Sequence, residues 1–222
     1  MEILEAILRR RSIRKFLPEP IDREILTNIL KISRRAPSSV NSQPWEFTVV
    51  QGAILNDLRA ENISKYRSGA PAETELSTSY WPKDSIFRER QVEIAKQLFS
   101  SMDIGREDTE KRTAWIERGF RYFDAPAAIM ITYDKVLSPR GPLMDIGGAV
   151  QTICLAAVQY GLGTCIAEQG VIYSSVVRDH TNIPDTKKLA ISIAVGYPDW
   201  DFPANQVVSN REDIDHIIHW VQ

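Results

Sequence analysis

Between positions 9 and 16 the chain reads RRRSIRKF, five cations within seven residues of a 222-residue protein whose formal net charge is −2. If the chain extends after residue 10, alternation puts Arg10, Ser12 and Arg14 on one side. Ile13 then faces the other way, with Phe16 further along toward the core. Two guanidiniums flanking a hydroxyl form a receptor for a phosphate and an adjacent polar group, because the planar fork bonds two oxygens at once. The same stretch also suits a helix C-terminus decorated with cations, which the macrodipole favours. A second polar run, APSSVNSQPW at 36–45, sets Ser38, Ser39, Asn41, Ser42 and Gln43 between two prolines. Small hydroxyls and amides on a stiff loop can meet the edge of a heteroaromatic ring. A hydrated connection has the same composition.

Other chemistries lack their residues. There is no GxGxxG, no GxxxxGK[ST] and no GxSxG. His180 stands alone; His216 and His219 are one turn apart but have no evident third ligand, which favours surface or packing roles over a metal site. No pair of carboxylates is singled out by spacing. If there is catalysis, a cofactor carries it. The near-balanced charge argues against a non-specific nucleic-acid binder, for which residues 9–15 would have to serve as a basic patch.

The elements that must position these residues are legible in part. A helix over 2–10 aligns Ile3, Leu4, Ile7 and Leu8; a second, with Asp22 as N-cap, turns Ile25, Leu26, Ile29, Leu30 and Ile32 inward. WEFTVVQ reads as a strand, Ala127 to Tyr133 as a buried strand, and LAISIAVGYP as another. Residues 143–160 form a helix apolar almost all round, with small residues that allow close approach by another helix, within one subunit or in a dimer. A short helix over 172–180 and a last one, REDIDHIIHW, complete the pattern. Residues 52–123 read as an insertion or lid with charged helices near 85–103 and 106–122. The whole chain, 1–222, is expected to be one domain, a three-layer sandwich around a mixed sheet. Cys154 and Cys165 match no CxxC pattern and read as buried thiols in a reducing, cytoplasmic compartment. The N-terminus has its charges after its apolar run, unlike a signal peptide, and no membrane span is expected.

Together these stretches resemble the FMN-dependent nitroreductases. RRSIRKF and PSSVNSQPW match that family's opening, and GLGTCIAEQG (161–170), VGYP (195–198) and Arg211 match it later in the same order. The resemblance covers about 1–51 and 124–222. It implies an α+β fold, a three-layer α/β/α sandwich around a mixed, mainly antiparallel sheet, in an intertwined homodimer with FMN at the interface. By position, Arg10 and Arg211 would hold the FMN phosphate, Ser12 the phosphate or ribityl chain, and Arg14 would face N1 and the C2 carbonyl of the flavin. Arg11 would contribute through its backbone. Pro37, Ser38, Ser39 and Asn41 would come from the partner subunit, and Cys165, Ile166, Ala167 and Glu168 would pass along the ring.

The resemblance further implies that electrons pass from NADH or NADPH through flavin N5 to a nitroaromatic or quinone-like acceptor, in two alternating steps. Two related readings stand beside it. One is a flavoenzyme that reduces or dehalogenates a specific metabolite; the other is an FMN-binding protein without turnover. Where family members place a further Asn and Lys on the flavin, this chain has ERGFRYFD, with Arg118 and Arg121 as the available cations. In the insertion, Tyr66, Tyr80, Trp81 and Phe87 are candidates for stacking on a substrate, or for a small core of the insertion's own.

Overall fold

The architecture grows outward from one strand. In β2, Ala127–Asp134, every side chain from Ala127 to Tyr133 is buried, which requires cover on both faces. Alternation sorts them. Ala128 and Met130 join a cluster with Leu55, Leu58, Phe120, Val176 and Val177. Ala127, Ile129, Ile131 and Tyr133 join another with Ile29, Trp45, Ile146, Ile153 and Ala157. The sheet is therefore the middle of three layers. The computed structural model describes residues 1–77 and 81–222.

β2 lies between β1, Glu46–Gln51, and β4, Lys187–Gly196; beyond β4 comes β3, Gly163–Ala167. All three strand pairs are antiparallel, and the parallel element is a bridge from Ser12 to Thr164. The α+β three-layer sandwich expected from the sequence is the one observed. On one face lie α1, Ile3–Arg9, α2, Arg23–Ser33, and α6, Arg140–Gln159. On the other lie α3, Gly52–Arg67, α5, Thr109–Phe120, and α7, Ser174–Thr181. The last two helices are α4, Ile86–Ser101, and the single-turn α8, Pro203–Gln206. Among the described residues α6 alone is long and apolar enough to cross a membrane, but Ile146, Ala149, Ile153, Cys154 and Ala157 are buried against α2 and the sheet, as in a core helix.

Within 52–123 the helices differ. α3 buries Leu55, Leu58 and Asn62 against β1, α5 and α7, whereas α4 buries only Leu98. Tyr66 stacks on Phe120 (centroids 4.6 Å apart), and Phe120 stacks on Tyr173 (5.7 Å), so that tyrosine belongs to the core rather than to a substrate platform. Trp81 and Phe87 form an exposed pair with centroids 5.9 Å apart. Tyr80 lies outside the described residues.

Two local expectations fail for physical reasons, and α1, helical as expected, exposes the face its sequence aligns. Ile32 is exposed and Ser33 is buried instead, because Ile32 lies about 100° round the helix from the stripe set by Leu26, Ile29 and Ser33. The aligned face of α1, Ile3, Leu4, Ile7 and Leu8, is exposed, and Ala6 is the residue the chain buries. REDIDHIIHW forms only a three-residue turn, Ile214–His216. Ile214, Ile217, Ile218 and Trp220 are exposed there, and a short helix with nothing to pack on does not recover its nucleation cost.

Candidate functional site

α1 stops at Arg9, and residues 10–16 run extended beside β3. Ile13 N–H donates to Thr164 O at 2.9 Å, and Leu17 N–H to Tyr197 O at 2.8 Å. Ile13 is buried, as alternation requires; Phe16 is buried as well, although it shares the parity of Arg10, Ser12 and Arg14, where the chain bridges to Pro198. Two glycines allow the close approach. A Cβ on Gly163 would sit 2.4 Å from Ile13 Cγ1, and one on Gly196 would sit 2.8 Å from Phe16 Cδ1. This is the physical content of the GLGT and VGYP motifs: they are the bed on which the cationic strap lies.

The strap is fixed most firmly at Arg14. Its N–H donates to Asn205 Oδ1 at 2.6 Å, and its carbonyl accepts from Arg118 Nη2 at 2.6 Å. Asn205 is fully buried and also donates to Lys15 O and Asp199 O, both at 2.8 Å. The Arg118 guanidinium lies 4.7 Å above the Phe202 ring, so it serves the strap's backbone. Arg121 is spent on Asp124 (2.9 Å) and Glu117 (3.7 Å).

The free side of the strap opens on a cavity of about 560 Å³. Arg10, Ser12, Arg14, Gln151 and Arg211, with Arg11 and Ser209, supply its polar lining, and Ile7, Leu8, Ile94, Val207 and Val208 its apolar lining. Among the described residues no carboxylate pairs with Arg10, Arg14 or Arg211, although their neighbours Arg9 and Lys15 pair with Glu5 and Asp199. The Arg14 guanidinium donates to Ser12 O (3.2 Å), and Arg211 Nη1 to Ser209 Oγ (2.7 Å) and Asn210 O (2.9 Å). Burial lowers the pKa of Arg14, with the Cys165 thiol acting weakly the other way. A half-buried cation without a counter-ion is costly, and an incoming anion would meet it already partly stripped of water. Burial also pushes the Cys165 thiol up to about 11, so it stays neutral and is no nucleophile near pH 7.

The structure thus brings Arg10, Ser12, Arg14 and Arg211 together. Arg11 lines the cavity too, but its guanidinium lies 5.6 Å above Trp200. Along 165–168, Cys165 and Ala167 are buried while Ile166 and Glu168 are exposed. Pro37, Ser38, Ser39 and Asn41 do not line the cavity of their own chain. They belong to a projecting loop in which Val40, Asn41 and Gln43 have φ of 46°, 58° and 46°, strained values for non-glycine residues. Ser39 N–H and Ser42 Oγ donate to the Asp145 carboxylate, and Gln43 N–H donates to Ser38 Oγ at 3.0 Å. Val40 at the tip is 97% exposed.

The family model described as Nitroreductase family matches residues 7–197. The chain belongs to the nitroreductase family. It is 30% identical over 219 residues to chloronitrobenzene nitroreductase of Comamonas testosteroni, covering 98% of this chain and 96% of that protein. It is also 30% identical to nitrobenzene nitroreductase of Ectopseudomonas oleovorans over 220 residues, covering 98% and 96%. Among solved structures, the FMN- and NADPH-dependent nitroreductase NfnB from Sphigopyxis sp. strain HMH superposes with a TM-score of 0.93 at 30% identity, over the whole of both chains.

For this nitroreductase-family chain the sequence reading missed Gln151 in the lining and the clamp formed by Asn205 and Arg118. An amide in the middle of the apolar run of α6 was a usable signal for Gln151. Nothing in the sequence points to Asn205, whose two partners on the strap are backbone atoms 190 and 191 residues away.

Proposed function

We propose that this protein is an FMN-dependent oxidoreductase that reduces nitroaromatic or quinone-like acceptors at the expense of NADH or NADPH. The observation that carries the reading is the set of carboxylate-free arginines, Arg10, Arg14 and Arg211, around Ser12 on one cavity. The residues fit the group: a phosphomonoester and a ring that gains negative charge are two centres that such a cradle would neutralise. Bound FMN would supply the electron relay, loaded by the nicotinamide and emptied by the acceptor in two alternating half-reactions. The chain's own part is to hold and tune. Arg10, Ser12 and Arg211 would bind the phosphate by charge-assisted hydrogen bonds. Arg14 would face N1 and the C2 carbonyl, where a half-buried cation on a clamped backbone favours added negative charge. Cys165, Ile166, Ala167 and Glu168 would run along the ring, with Arg11 contributing through its backbone.

A homodimer completes this reading. The exposed faces of α1 and of the C-terminal segment 214–221 are apolar surfaces that a second copy would cover. The stiff 37–43 loop projects as an element that would place Pro37, Ser38, Ser39 and Asn41 in the other copy's cavity. We treat residues 1–222 as one domain in which α4 and its flanks act as the lid. The free, buried Cys154 and Cys165 support a cytoplasmic setting.

The test is an absorption spectrum of the purified protein under anaerobic conditions, before and after addition of NADH or NADPH. Flavin bands are expected to bleach and to return on adding nitrobenzene. Bands that persist would leave an FMN-binding protein without this activity, and no bands after incubation with FMN would overturn the reading.

A further inference from the structure

The arm that carries Arg211 has no regular structure of its own. Residues 207–213 follow α8 as irregular chain, and Arg211 is exposed. What holds the arm is α4. Asn210 Nδ2 donates to Glu93 Oε1 at 2.5 Å, and Arg90 pairs with Glu212. The residues immediately before and after Arg211 are thus fastened to one helix at positions three apart, which share a face. Between arm and helix lies a cavity of about 600 Å³ lined by Ile86, Arg90, Glu93, Ile94 and Arg211. Ile94 and Arg211 also line the cavity that contains Arg10, Ser12 and Arg14, so α4 meets both.

We infer that Arg90 and Glu93 are positioning residues for Arg211, fastening the arm so that its guanidinium is held at the cofactor cavity. The inference rests on the phosphate role of Arg211 proposed above. The physical reason is preorganisation. An arginine on a free arm must give up backbone and side-chain freedom when it grips an anion, whereas an arm already fastened on both sides of the arginine has lost most of that freedom on folding. The lid helix and the phosphate grip are then one mechanical unit. A displacement of α4 would loosen the cofactor without touching the strap at 10–16.

The experiment compares two ligands on the full-length apo-protein by quenching of flavin fluorescence: FMN, and riboflavin, which lacks the phosphate. The variants are Arg90→Ala with Glu93→Ala, Arg211→Ala, and all three together. Alanine on the exposed face of α4 keeps the helix intact, which circular dichroism would verify. The pair is expected to weaken FMN binding by about 3- to 10-fold, the size of one to two net hydrogen bonds. Riboflavin binding should be unchanged, and the pair should cost nothing further once Arg211 is absent. An equal loss for riboflavin, an additive loss in the Arg211→Ala background, or unchanged FMN binding would each overturn the inference. If Arg211→Ala itself binds FMN like the parent, the phosphate role fails, and the inference falls with it.

Discussion

Two segments bring arginines to one cavity, and they are built in opposite ways. The strap at 10–16 lies on β3 with Ile13 and Phe16 buried, and its Arg14 peptide is clamped by Asn205 on one side and Arg118 on the other. The arm at 207–213 is exposed over 208–211 and holds on through surface pairs to a helix that buries a single leucine. One segment is built into the core; the other is held at the surface by α4. Stability and cofactor affinity should therefore separate between the two segments.

The strongest way to break this comparison is Asn205→Leu. It leaves Arg14 N–H without its partner and strips one of two donors from Lys15 O and Asp199 O, which keep Asp199 N–H and Phe202 N–H. One orphaned donor and two lost hydrogen bonds should cost about 3–5 kcal/mol in denaturant unfolding. Ser209→Ala on the arm should stay within about 0.5 kcal/mol. Equal stability of the two variants would mean that the strap is not the rigid half.

Next in size, Arg10→Ala and Arg211→Ala should each cost FMN affinity of about 1.5–3 kcal/mol, roughly 10- to 150-fold, in titrations of the apo-protein. Unfolding midpoints without flavin should hardly move. If both variants keep parental affinity, the phosphate is held elsewhere.

Arg14→Ala should act on energetics more than on retention. The flavin midpoint potential should fall by about 30 mV for each ~1.4 kcal/mol by which the cation favours the reduced ring. Spectroelectrochemistry reads this directly, and an unchanged potential would sink the assignment.

The smallest effect concerns alkaline pH. The folded chain holds the Cys165 proton to about 11, whereas an unfolded cysteine releases it near 8.5. The unfolded state therefore binds fewer protons in that window, so stability is full below about pH 8.5 and declines as pH rises toward 11. Cys165→Ala should show a shallower decline than the parent between pH 8 and 10. An identical slope would mean that the thiol behind the strap is not desolvated as described.

Much of this was legible in the sequence, for identifiable reasons. Alternation after a helix end is a local property, and it placed Arg10, Ser12 and Arg14 on the cavity side with Ile13 on the other, while Phe16, further along, turns to the core against that parity. The buried β2 run and the small-residue helix α6 announce themselves because a strand or helix apolar on all sides has nowhere to go but the interior. The last helix was misread because its apolar spacing is real but the single chain offers it no surface. Tyr66 was open to either stacking on a substrate or a core of the insertion's own, and the fold places it on Phe120 at the main core.

The sequence by itself determined the chemistry on offer: cations around a hydroxyl, a stiff polar loop, no nucleophile with a base, and an ordered set of motifs that marks the family. Residue types and short spacings suffice for that, because they depend on backbone geometry over only a few bonds. Only the tertiary structure decided which cations lack a carboxylate, that Asn205 reaches back 191 residues to fix Arg14, and that α4 holds the arm bearing Arg211. Such choices are settled when distant segments compete for the same partners as water is removed, and no local pattern records the winner.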